Sequence, residues 1–450
     1  MVIGMRSKEL FKTIILTLLV LMSAVLTYMT WNFSPDLANV NSPDSKDKHT
    51  NTIGKPLKGG MPQVITPYQI IHSNGDKTEG MDATKSNVKA LTKPLKDQRV
   101  THSERMHSQH NLIIPDLSND FVVLDFTYQM PLATYLGQVL NINAKVPNHF
   151  NFNRLLIDKD HNGKLKLYAI SKDRHEVVRM TTTAKSSKMA QALEESDKAM
   201  RPYSDIITNK DTIDKATHIF APEKPKKLKT YRTIYNRISV DAMNSILFND
   251  SVVVRSANNG TTTYNNNTGV ANYNDQSEKY RYTNLSEDED KTKNMKETIP
   301  STFNYINGHG GFTDDFRLFS TDNDTGELTY QLFLNGRPTF NTDNLNQIKV
   351  AWGKKGIFGY ARALLKTNVT IDSGGDSETS LPGAEEVRAS LANNPQLDFE
   401  KVTNIALGYT MNDKPDNKDI EIQRNSEFKP QWYVEYNGKW HPYSKNGGLE

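Results

Sequence analysis

Residues 311–341, GFTDDFRLFSTDNDTGELTYQLFLNGRPTFN, contain two strand-like runs and two turns in succession. Residues 315–320 and 327–334 are rich in aromatic and apolar side chains, and the polar residues 321–326 between them predict a hairpin. Asn335-Gly336 follows, a pair of residues that suits a second tight turn. This part of the chain therefore predicts consecutive antiparallel strands.

The same alternation of strands and turns extends outward in both directions. Hairpins are predicted at residues 151–170 and at residues 252–264, where Asn258-Asn259-Gly260 marks the turn. Residues 63–72 read as a strand and the Asn-rich residues 265–276 as a connection. Helical patterns recur at residues 86–98, 132–140, 186–200, 239–248 and 384–392. The pattern predicts an α+β protein with mixed, mainly antiparallel sheets and flanking helices.

Length and composition limit the classes of protein that fit. A chain of 450 residues is long enough for two or three domains, and we expect boundaries that give domains at residues 61–200, 201–297 and 298–450. A net charge of +3 over 107 charged side chains gives no general attraction to nucleic acid. The absence of cysteine excludes disulfides, thiolate nucleophiles and a lipoprotein anchor.

An apolar segment near the N-terminus predicts a membrane anchor. Residues 13–31, TIILTLLVLMSAVLTYMTW, carry no charge and approach the length needed to cross a bilayer. Arg6, Lys8 and Lys12 precede the segment, so residues 1–12 are expected in the cytoplasm, 13–33 in the membrane, and the bulk of the chain outside. Residues 34–60 read as a flexible tether. Cleavage as a signal peptide is the alternative, but the apolar run is long and lacks a good peptidase site.

The anchor has two sides that could contact another helix in lipid. Small side chains permit close approach of helices, and they lie along one side at Thr17, Ser23, Ala24 and Thr27. A heptad-like apolar stripe forms the alternative face at Ile15, Leu18, Met22, Val25 and Met29. Any apolar helix shows some such pattern, so both sides remain open.

No motif predicts catalysis or a cofactor. Asp158-x-Asp160-x-Asn162-Gly163 begins like a calcium loop, but Ala169 stands where a bidentate Glu is needed, so a hairpin turn is the better reading. His102, His107 and His110 lie near Glu104 without a zinc-site pattern and read as a solvated segment. No triad, metal or nucleotide motif is present. The C-terminal aromatic residues favour core packing over a docking surface: Trp432, Tyr433, Tyr436, Trp440 and Tyr443.

Three parts of the chain resemble the YycH family. They are the opening MRSKELFKTIILTLLVLMSAVLTYMTWNFSPDL at residues 5–37, the hairpin run at residues 311–341, and the closing IALGYTM and FKPQWYVEYNGKWHPY at residues 405–411 and 428–443. The closing pattern is also similar to the last domain of YycI. The resemblance covers essentially the whole chain, from a short basic tail and one helix to the final strands.

The resemblance implies a function without catalysis. Its members, also called WalH, are accessory regulators of the WalK (YycG) sensor histidine kinase in low-GC Gram-positive bacteria. It implies three extracytoplasmic domains, a YycI-like membrane protein as partner, a WalK-like kinase as target, the lipid bilayer as support, and control of cell-wall metabolism. It leaves open whether the kinase is restrained or promoted. The alternative function is a membrane-anchored cell-wall enzyme or wall-binding module.

Overall fold

The computed structural model describes most of the chain: residues 16–23, 52–107, 114, 116–159, 162–174, 176–208, 217–248, 252–258, 260–288, 294–322, 324–373, 378–413, 424–445 and 448–449. The chain divides into two units, Met1–Thr50 and Asn51–Glu450. In the first unit, residues 16–23 are helical and their side chains are exposed. Among the described residues, no helix combines the length and the apolar character required to cross a bilayer.

The N-terminal part of the second unit forms one antiparallel sheet. Its described strands run in the spatial order β3-β7-β6-β5-β4-β1-β2-β8-β9. Their bounds are β1 Gln69–Asn74, β2 Thr78–Asp82, β3 Val100–His107, β4 Asp120–Pro131, β5 Asn151–Lys159, β6 Lys164–Ser171, β7 Glu176–Lys185, β8 Arg201–Thr208 and β9 Thr217–Pro222. The middle strands are buried on both faces, since seven consecutive residues of β5 are buried.

The remaining strands form a second sheet. Its main order is β11-β12-β13-β14-β19-β18-β16-β17-β21-β22-β10-β20, with β15 on β16 and β23 on β22. The bounds are β10 Tyr231–Arg237, β11 Val253–Asn258, β12 Thr261–Asn265, β13 Gly269–Asn274, β14 Lys279–Asn284, β15 Phe316–Thr321, β16 Leu328–Leu334, β17 Arg337–Phe340, β18 Gln347–Trp352, β19 Ile357–Ala363, β20 Leu365–Asp372, β21 Val402–Asn412, β22 Asn425–Tyr436 and β23 Lys439–Pro442. Among the strand pairs described, β17 with β21 is parallel and the others are antiparallel.

Five helices pack against these sheets within the described part of the chain: Lys85–Thr92, Ser186–Ser196, Val240–Leu247, Met295–Gly308 and Ala384–Ala392. A helical turn at Leu132–Thr134 continues as a π-helical turn at Tyr135–Val139. One hydrophobic cluster contains buried residues of both sheets, including Phe126 of β4 and Tyr330 of β16. The two sheets therefore share a core.

Several local predictions are confirmed. The α+β class with mainly antiparallel sheets is present, and the hairpins formed by β5–β6, β11–β12 and β15–β16 lie where the sequence predicted them. Ser239 caps the helix Val240–Leu247 by accepting a hydrogen bond from the Ala242 amide. The expected domain boundaries stay predictions, although β8 and β9, which follow residue 200, continue the order of the first sheet.

Two local predictions were wrong, and one helix was missed. The strand expected from residue 63 begins at Gln69, because Pro67 has no amide hydrogen for a ladder. The connection expected at residues 265–276 contains β13, which pairs on both sides despite its many Asn residues. The helix Met295–Gly308 was not predicted, because Pro300 lies inside it and because its Thr and Asn residues have low helix propensity.

Two Asn-Gly turns share one backbone conformation but differ in their surroundings. At Asn335-Gly336 the φ angles are 51° and 84°, and at Asn437-Gly438 they are 51° and 73°. Such positive values match the tight turns that join twisted antiparallel strands. A Cβ added at Gly336 would lie 2.6 Å from the backbone nitrogen of Thr84, whereas one added at Gly438 would meet nothing within 4 Å. The first turn therefore packs closely against the loop that follows β2 of the first sheet.

We expect Gly336→Ala to destabilise the protein more than Gly438→Ala does. Both variants carry the cost of a left-handed conformation, about 1–2 kcal/mol. Only Gly336→Ala adds a clash with residues 83 and 84, which we expect to cost roughly 1–3 kcal/mol more. The free energy of unfolding in urea measures the difference. Equal losses in the two variants would show that the contact between the turn and residues 83–84 is not tight.

Candidate functional site: a buried charge network between the sheets

A buried ion pair lies at the centre of the first sheet. Asp125 of β4 and Arg154 of β5 are register partners on neighbouring strands. The Arg154 guanidinium donates to both carboxylate oxygens, from Nε at 3.1 Å and from Nη2 at 2.6 Å. Their side chains are 1% and 0% exposed. Two parallel hydrogen bonds of this kind fix the relative position of both groups, and they offset part of the cost of removing two charges from water.

Lys172 extends the network from the first sheet to the second. Its side chain is 8% exposed, and Nζ lies 3.3 Å from Asp125 Oδ1 and 3.1 Å from Asn404 Oδ1. Asn404 belongs to β21, 232 residues further along the chain. The Tyr68 hydroxyl also donates to Asn404 Oδ1, at 3.2 Å, and the Asn404 amide donates to Glu435 of β22. The Asn404 side chain thus accepts hydrogen bonds from two residues of the N-terminal part and donates one to a residue of the second sheet.

The charges of the network set one another's protonation states. Burial opposes ionisation of the Asp125 carboxyl, but the charges of Arg154 and Lys172 outweigh it and hold the pKa below its usual value. Burial lowers the pKa of Lys172, against the attraction of Asp125. Burial also raises the pKa of Tyr68 well above its usual value, so this hydroxyl stays protonated. Asp125 is therefore an ionised, fully engaged acceptor and is poorly suited to act as a general base.

Arg154 also reaches the far edge of the first sheet. Its Nη2 donates to the His218 carbonyl of β9 at 2.8 Å, and its guanidinium carbon lies 5.4 Å from the centre of the Phe220 ring. His218 Nδ1 in turn lies 2.7 Å from Asp205 Oδ2 of β8. Within the described residues, Arg154 Nη1 has no hydrogen-bond partner. The buried guanidinium therefore connects β5 to β9 as well as to β4.

A second arginine fork joins the Asn335-Gly336 turn to the first sheet. Arg337 donates to both oxygens of Asp82, from Nε at 2.6 Å and from Nη2 at 2.9 Å. The Arg337 side chain is 13% exposed. Burial disfavours its charged form, but the Asp82 carboxylate more than compensates and raises the pKa of Arg337. This contact bridges 255 positions of sequence, so the turn that was predicted from local sequence is also a joint between the sheets.

Arg317 on β15 provides a third joint. Its Nη1 donates to the Ala83 carbonyl at 2.5 Å, while Nε and Nη2 hold Asp315 at 3.1 and 2.7 Å. Its guanidinium carbon lies 4.6 Å from the centre of the Phe333 ring. Arg317 is 1% exposed. The hairpin β15–β16 is thereby attached to the loop that follows β2.

Aromatic side chains fill the space beside this joint. Tyr68, which immediately precedes β1, meets Trp440 edge to face with ring centres 6.5 Å apart, and Phe340 stacks on Tyr433 with ring centres 3.7 Å apart. Among the C-terminal aromatic residues, Trp432, Tyr433 and Tyr443 are buried, whereas Tyr436 and Trp440 are half-buried. The core-packing prediction is confirmed for the three buried residues.

The residues predicted for helix contact lie in the first unit. Thr17, Leu18, Met22 and Ser23 fall within the helical residues 16–23, with Leu18 62% and Met22 52% exposed. The other predicted residues lie outside the described part of the chain: Ile15, Ala24, Val25, Thr27 and Met29. Their role in contact stays a prediction.

The residues weighed for metal binding have structural positions. His102 and His107 lie on β3, which pairs with β7, and His110 lies outside the described residues. Asp158 is buried on β5, and its carboxylate accepts a hydrogen bond from the Ser118 amide at 3.3 Å. Asp160 is outside the described residues. Within the described part of the chain, no group of three His, Asp or Glu side chains is arranged to hold a metal.

The sequence contains a signal for the Asp125–Arg154 pair of the network. Asp125 is the one charge within the apolar run FVVLDFTYQM, and Arg154 is the one basic residue within NFNRLLI. Single opposite charges in two strands that are otherwise buried predict that the two residues face each other. Lys172 and Asn404 carry no comparable signal, because their contact depends on how the sheets pack.

Both halves of the chain match one family. Residues 9–199 match the description "YycH protein, N-terminal domain", and residues 216–447 match "YycH protein, C-terminal domain". The chain belongs to the YycH family. The charge network therefore joins the two domains that define the family, with Asp125, Arg154 and Lys172 in the first and Asn404 and Glu435 in the second.

Relatives of known name agree with this assignment. The chain is 22% identical to the "Two-component system WalR/WalK regulatory protein YycH" of Bacillus subtilis (strain 168), over 98% of this chain and 97% of that protein. The crystal structure of YycH from Bacillus subtilis has the same fold, with a TM-score of 0.66 and 17% identity. That comparison covers 86% of this chain and 98% of the other.

We expect Asp125→Asn to destabilise this YycH-family protein by about 3–5 kcal/mol, because it leaves buried cations without their counter-charge. The matched control is Glu385→Gln, which breaks the exposed Glu385–Arg388 pair of the helix Ala384–Ala392. Such a surface pair contributes about 0–1 kcal/mol. Urea unfolding of both variants tests the difference. A loss for Asp125→Asn as small as that of the control would mean that the network carries little stability.

The network also predicts a dependence of stability on pH. The pKa of Asp125 is lower in the folded protein than in the unfolded chain, so its contribution is present above the unfolded value, about 4. The contribution is lost as pH falls through the folded value. We expect the free energy of unfolding to drop less on acidification in Asp125→Asn than in the native sequence. Other carboxylates titrate in both proteins, so only the difference between the two is informative. Parallel curves of unfolding free energy against pH would contradict the prediction.

Proposed function

We propose that this chain is a non-catalytic, membrane-anchored regulator of a two-component sensor histidine kinase that controls cell-wall metabolism. It acts with a YycI-like membrane protein and a WalK-like kinase. Its N-terminus lies in the cytoplasm, a single helix at residues 13–33 crosses the membrane, and the bulk of the chain lies outside. The observation that carries the proposal is the match of both halves of the chain to the YycH family.

The proposal of a membrane anchor and its orientation rests on the amino-acid sequence. The uncharged residues 13–31 follow a basic tail, and positive side chains favour the cytoplasmic side. Residues 52–60, the end of the predicted tether, belong to the second unit. The Ile53 amide donates to the His309 carbonyl at 2.9 Å, and the Leu57 amide donates to Asn307 Oδ1 at 2.6 Å. We therefore keep the proposal of a tether for residues 34–51.

The buried joints support a regulator that acts through binding. Two contacts fasten the two family domains together. Asp125, Arg154 and Lys172 of the network that reaches Asn404 are buried, whereas the Asp82–Arg337 pair is partly buried. Separating the domains would leave some of these charged groups without their partners, and an unpaired buried charge is destabilising. A partner that binds either domain would therefore act on the pair as one body, and it could shift the kinase equilibrium only through differential binding to its states.

Removing the protein should change the output of its kinase. We expect deletion of the gene to alter phosphorylation of the cognate response regulator, measured as the phosphorylated fraction on a Phos-tag gel. Re-expression of the full chain should restore the original fraction. Unchanged phosphorylation over a range of growth conditions would defeat the regulatory function.

We expect Ser23→Leu and Thr27→Leu to weaken association with a partner helix while membrane insertion is kept. Leu is favourable in the bilayer centre, but it blocks the close approach that small residues permit. The measurement is crosslinked recovery of kinase or YycI-like partner at matched protein level. Leu21→Ile is the control, since it changes the shape of a side chain without filling the small-residue side.

If both Leu variants behave like Leu21→Ile, the small-residue side is not the contact. The stripe of Ile15, Leu18, Met22, Val25 and Met29 would then be the next candidate. An unrelated apolar helix in place of residues 13–33 tests the role of the anchor itself. Full regulation by that chimera would assign the contacts to the outer domains.

A further inference from the structure

One corner of the first sheet carries a group of exposed basic side chains. The start of β3, the start of β6 and the end of β7 meet there, and the helix Ser186–Ser196 leaves from the end of β7. The short helical turn Lys93–Leu95 packs against both β7 and this helix. Six basic residues at this place are exposed, and we call them the basic corner: Lys93, Lys96, Arg99, Lys164, Lys185 and Lys188.

Backbone contacts bring the residues of the basic corner together. The Arg99 amide donates to Thr183 Oγ1 at 3.0 Å, and the Thr183 amide donates to the Arg99 carbonyl at 3.0 Å. Two residues further along β7, Lys185 is the register partner of Lys164 on β6. Lys188 lies in the first turn of the helix that follows. The corner is therefore assembled from four segments that are distant in sequence.

The local structure disfavours positive charge at this corner. Like charges directly opposite each other on two strands are destabilising, and Lys164 faces Lys185 in this way. The helix Ser186–Ser196 has no acidic residue in its first turn and no side-chain cap, although cations are unfavourable at a helix N-terminus. These costs are tolerable if the charge serves an interaction outside the fold.

Few acidic groups neutralise the basic corner. Asp97 is the one acidic residue in the segments 93–99, 162–165 and 183–190, so these segments carry a net charge of +5, against +3 for the whole chain. Asp97 Oδ1 accepts a hydrogen bond from the Asn141 amide group. Within the described part of the chain, none of the six basic side chains forms an ion pair. The corner thus presents unbalanced positive charge to an anionic partner.

The composition of the corner favours a lipid surface over a protein partner. Protein interfaces have an apolar core, but the exposed large apolar side chains of the described residues lie elsewhere, within residues 16–22 and at Leu285, Val369 and Ile371. Anionic headgroups bind clustered lysines without any apolar contact. The proposed tether, residues 34–51, would also hold the second unit near the bilayer, since such a coil spans roughly 25 Å.

We propose that the basic corner docks the second unit on anionic lipids of the bilayer that holds the anchor. The inference rests on the membrane anchor of the proposed function. Each basic side chain close to an anionic surface favours docking by a factor of about five. The attraction decays over about 8 Å at physiological ionic strength, so docking is sensitive to salt. Docked in this way, the outer domains present the same side to the bilayer each time.

Energy transfer in nanodiscs measures the docking. The natural chain has no cysteine, so a dye on full-length Ser187→Cys, an exposed position within the corner, is the one protein label. The discs contain an acceptor lipid in phosphatidylcholine alone or in a mixture with phosphatidylglycerol. Single-molecule transfer gives the ratio of docked to undocked chains. We expect this ratio to be higher in the anionic discs and to fall at high salt.

Two charge reversals test the position of the contact. In anionic discs, Lys185→Glu with Lys188→Glu should lower the docked ratio by roughly 25-fold or more, since two attractions of about fivefold are removed. Folding should be kept, because acidic residues are favourable at a helix N-terminus. The control is Lys224→Glu with Lys226→Glu, the same change of charge at exposed residues that follow β9, the opposite edge strand of the sheet. We expect the control to dock like the native sequence.

Several results would overturn the docking. Equal ratios in neutral and anionic discs, or equal losses in the two charge reversals, would show that the corner does not select anionic lipid. Free polyphosphate that bound the corner while anionic discs left it undocked would assign the corner to a soluble polymer instead. A chain that failed to enter the discs would contradict the anchor and this inference with it. A chain that entered the discs and did not dock would overturn this inference alone.

Discussion

The rest of the second unit depends on the desolvation of Asp125. A carboxylate with 1% exposure is tolerable only if positive groups replace the water that it loses. Arg154 supplies two hydrogen bonds from the neighbouring strand, and Lys172 supplies a third group from the end of β6. These partners take their places only when β4, β5 and β6 are in register and β21 has docked. One charge thus ties the formation of the first sheet to its packing on the second.

An arginine holds a carboxylate at each of the three joints, and this choice has a physical reason. A guanidinium is planar and offers several donors in fixed directions, so it sets orientation as well as distance. Arg154 and Arg337 each hold one carboxylate with two bonds, and Arg317 holds a carboxylate and a carbonyl from the other domain. A lysine at position 317 or 337 would satisfy the charge without fixing the orientation of the contact between the domains.

Local features of the fold could be predicted from the sequence, and long-range ones could not. Turn residues such as Asn335-Gly336 and the helix cap Ser239 act within a few residues, so the local sequence contains the signal. The spacing of Met295, Ile299, Phe303 and Ile306 is helical and could have revealed the missed helix despite Pro300. The contacts of Lys172 with Asn404 and of Arg337 with Asp82 join positions 232 and 255 residues apart. No periodicity in one sequence reports which strands of two sheets will meet.

The rigid joint limits how such a protein could regulate a membrane kinase. If residues 34–51 form the tether that their composition predicts, a random coil of 18 residues spans roughly 25 Å. A coil of that kind transmits neither torque nor piston motion from an outer body to a helix. It raises the local concentration of the helix near whatever the outer domains bind, by an amount set by its length. If the tether is a coil, shortening or stiffening it would change the strength of regulation without altering any contact. If the outer domains instead acted on the helix through a direct mechanical link, the same changes would reverse or abolish regulation.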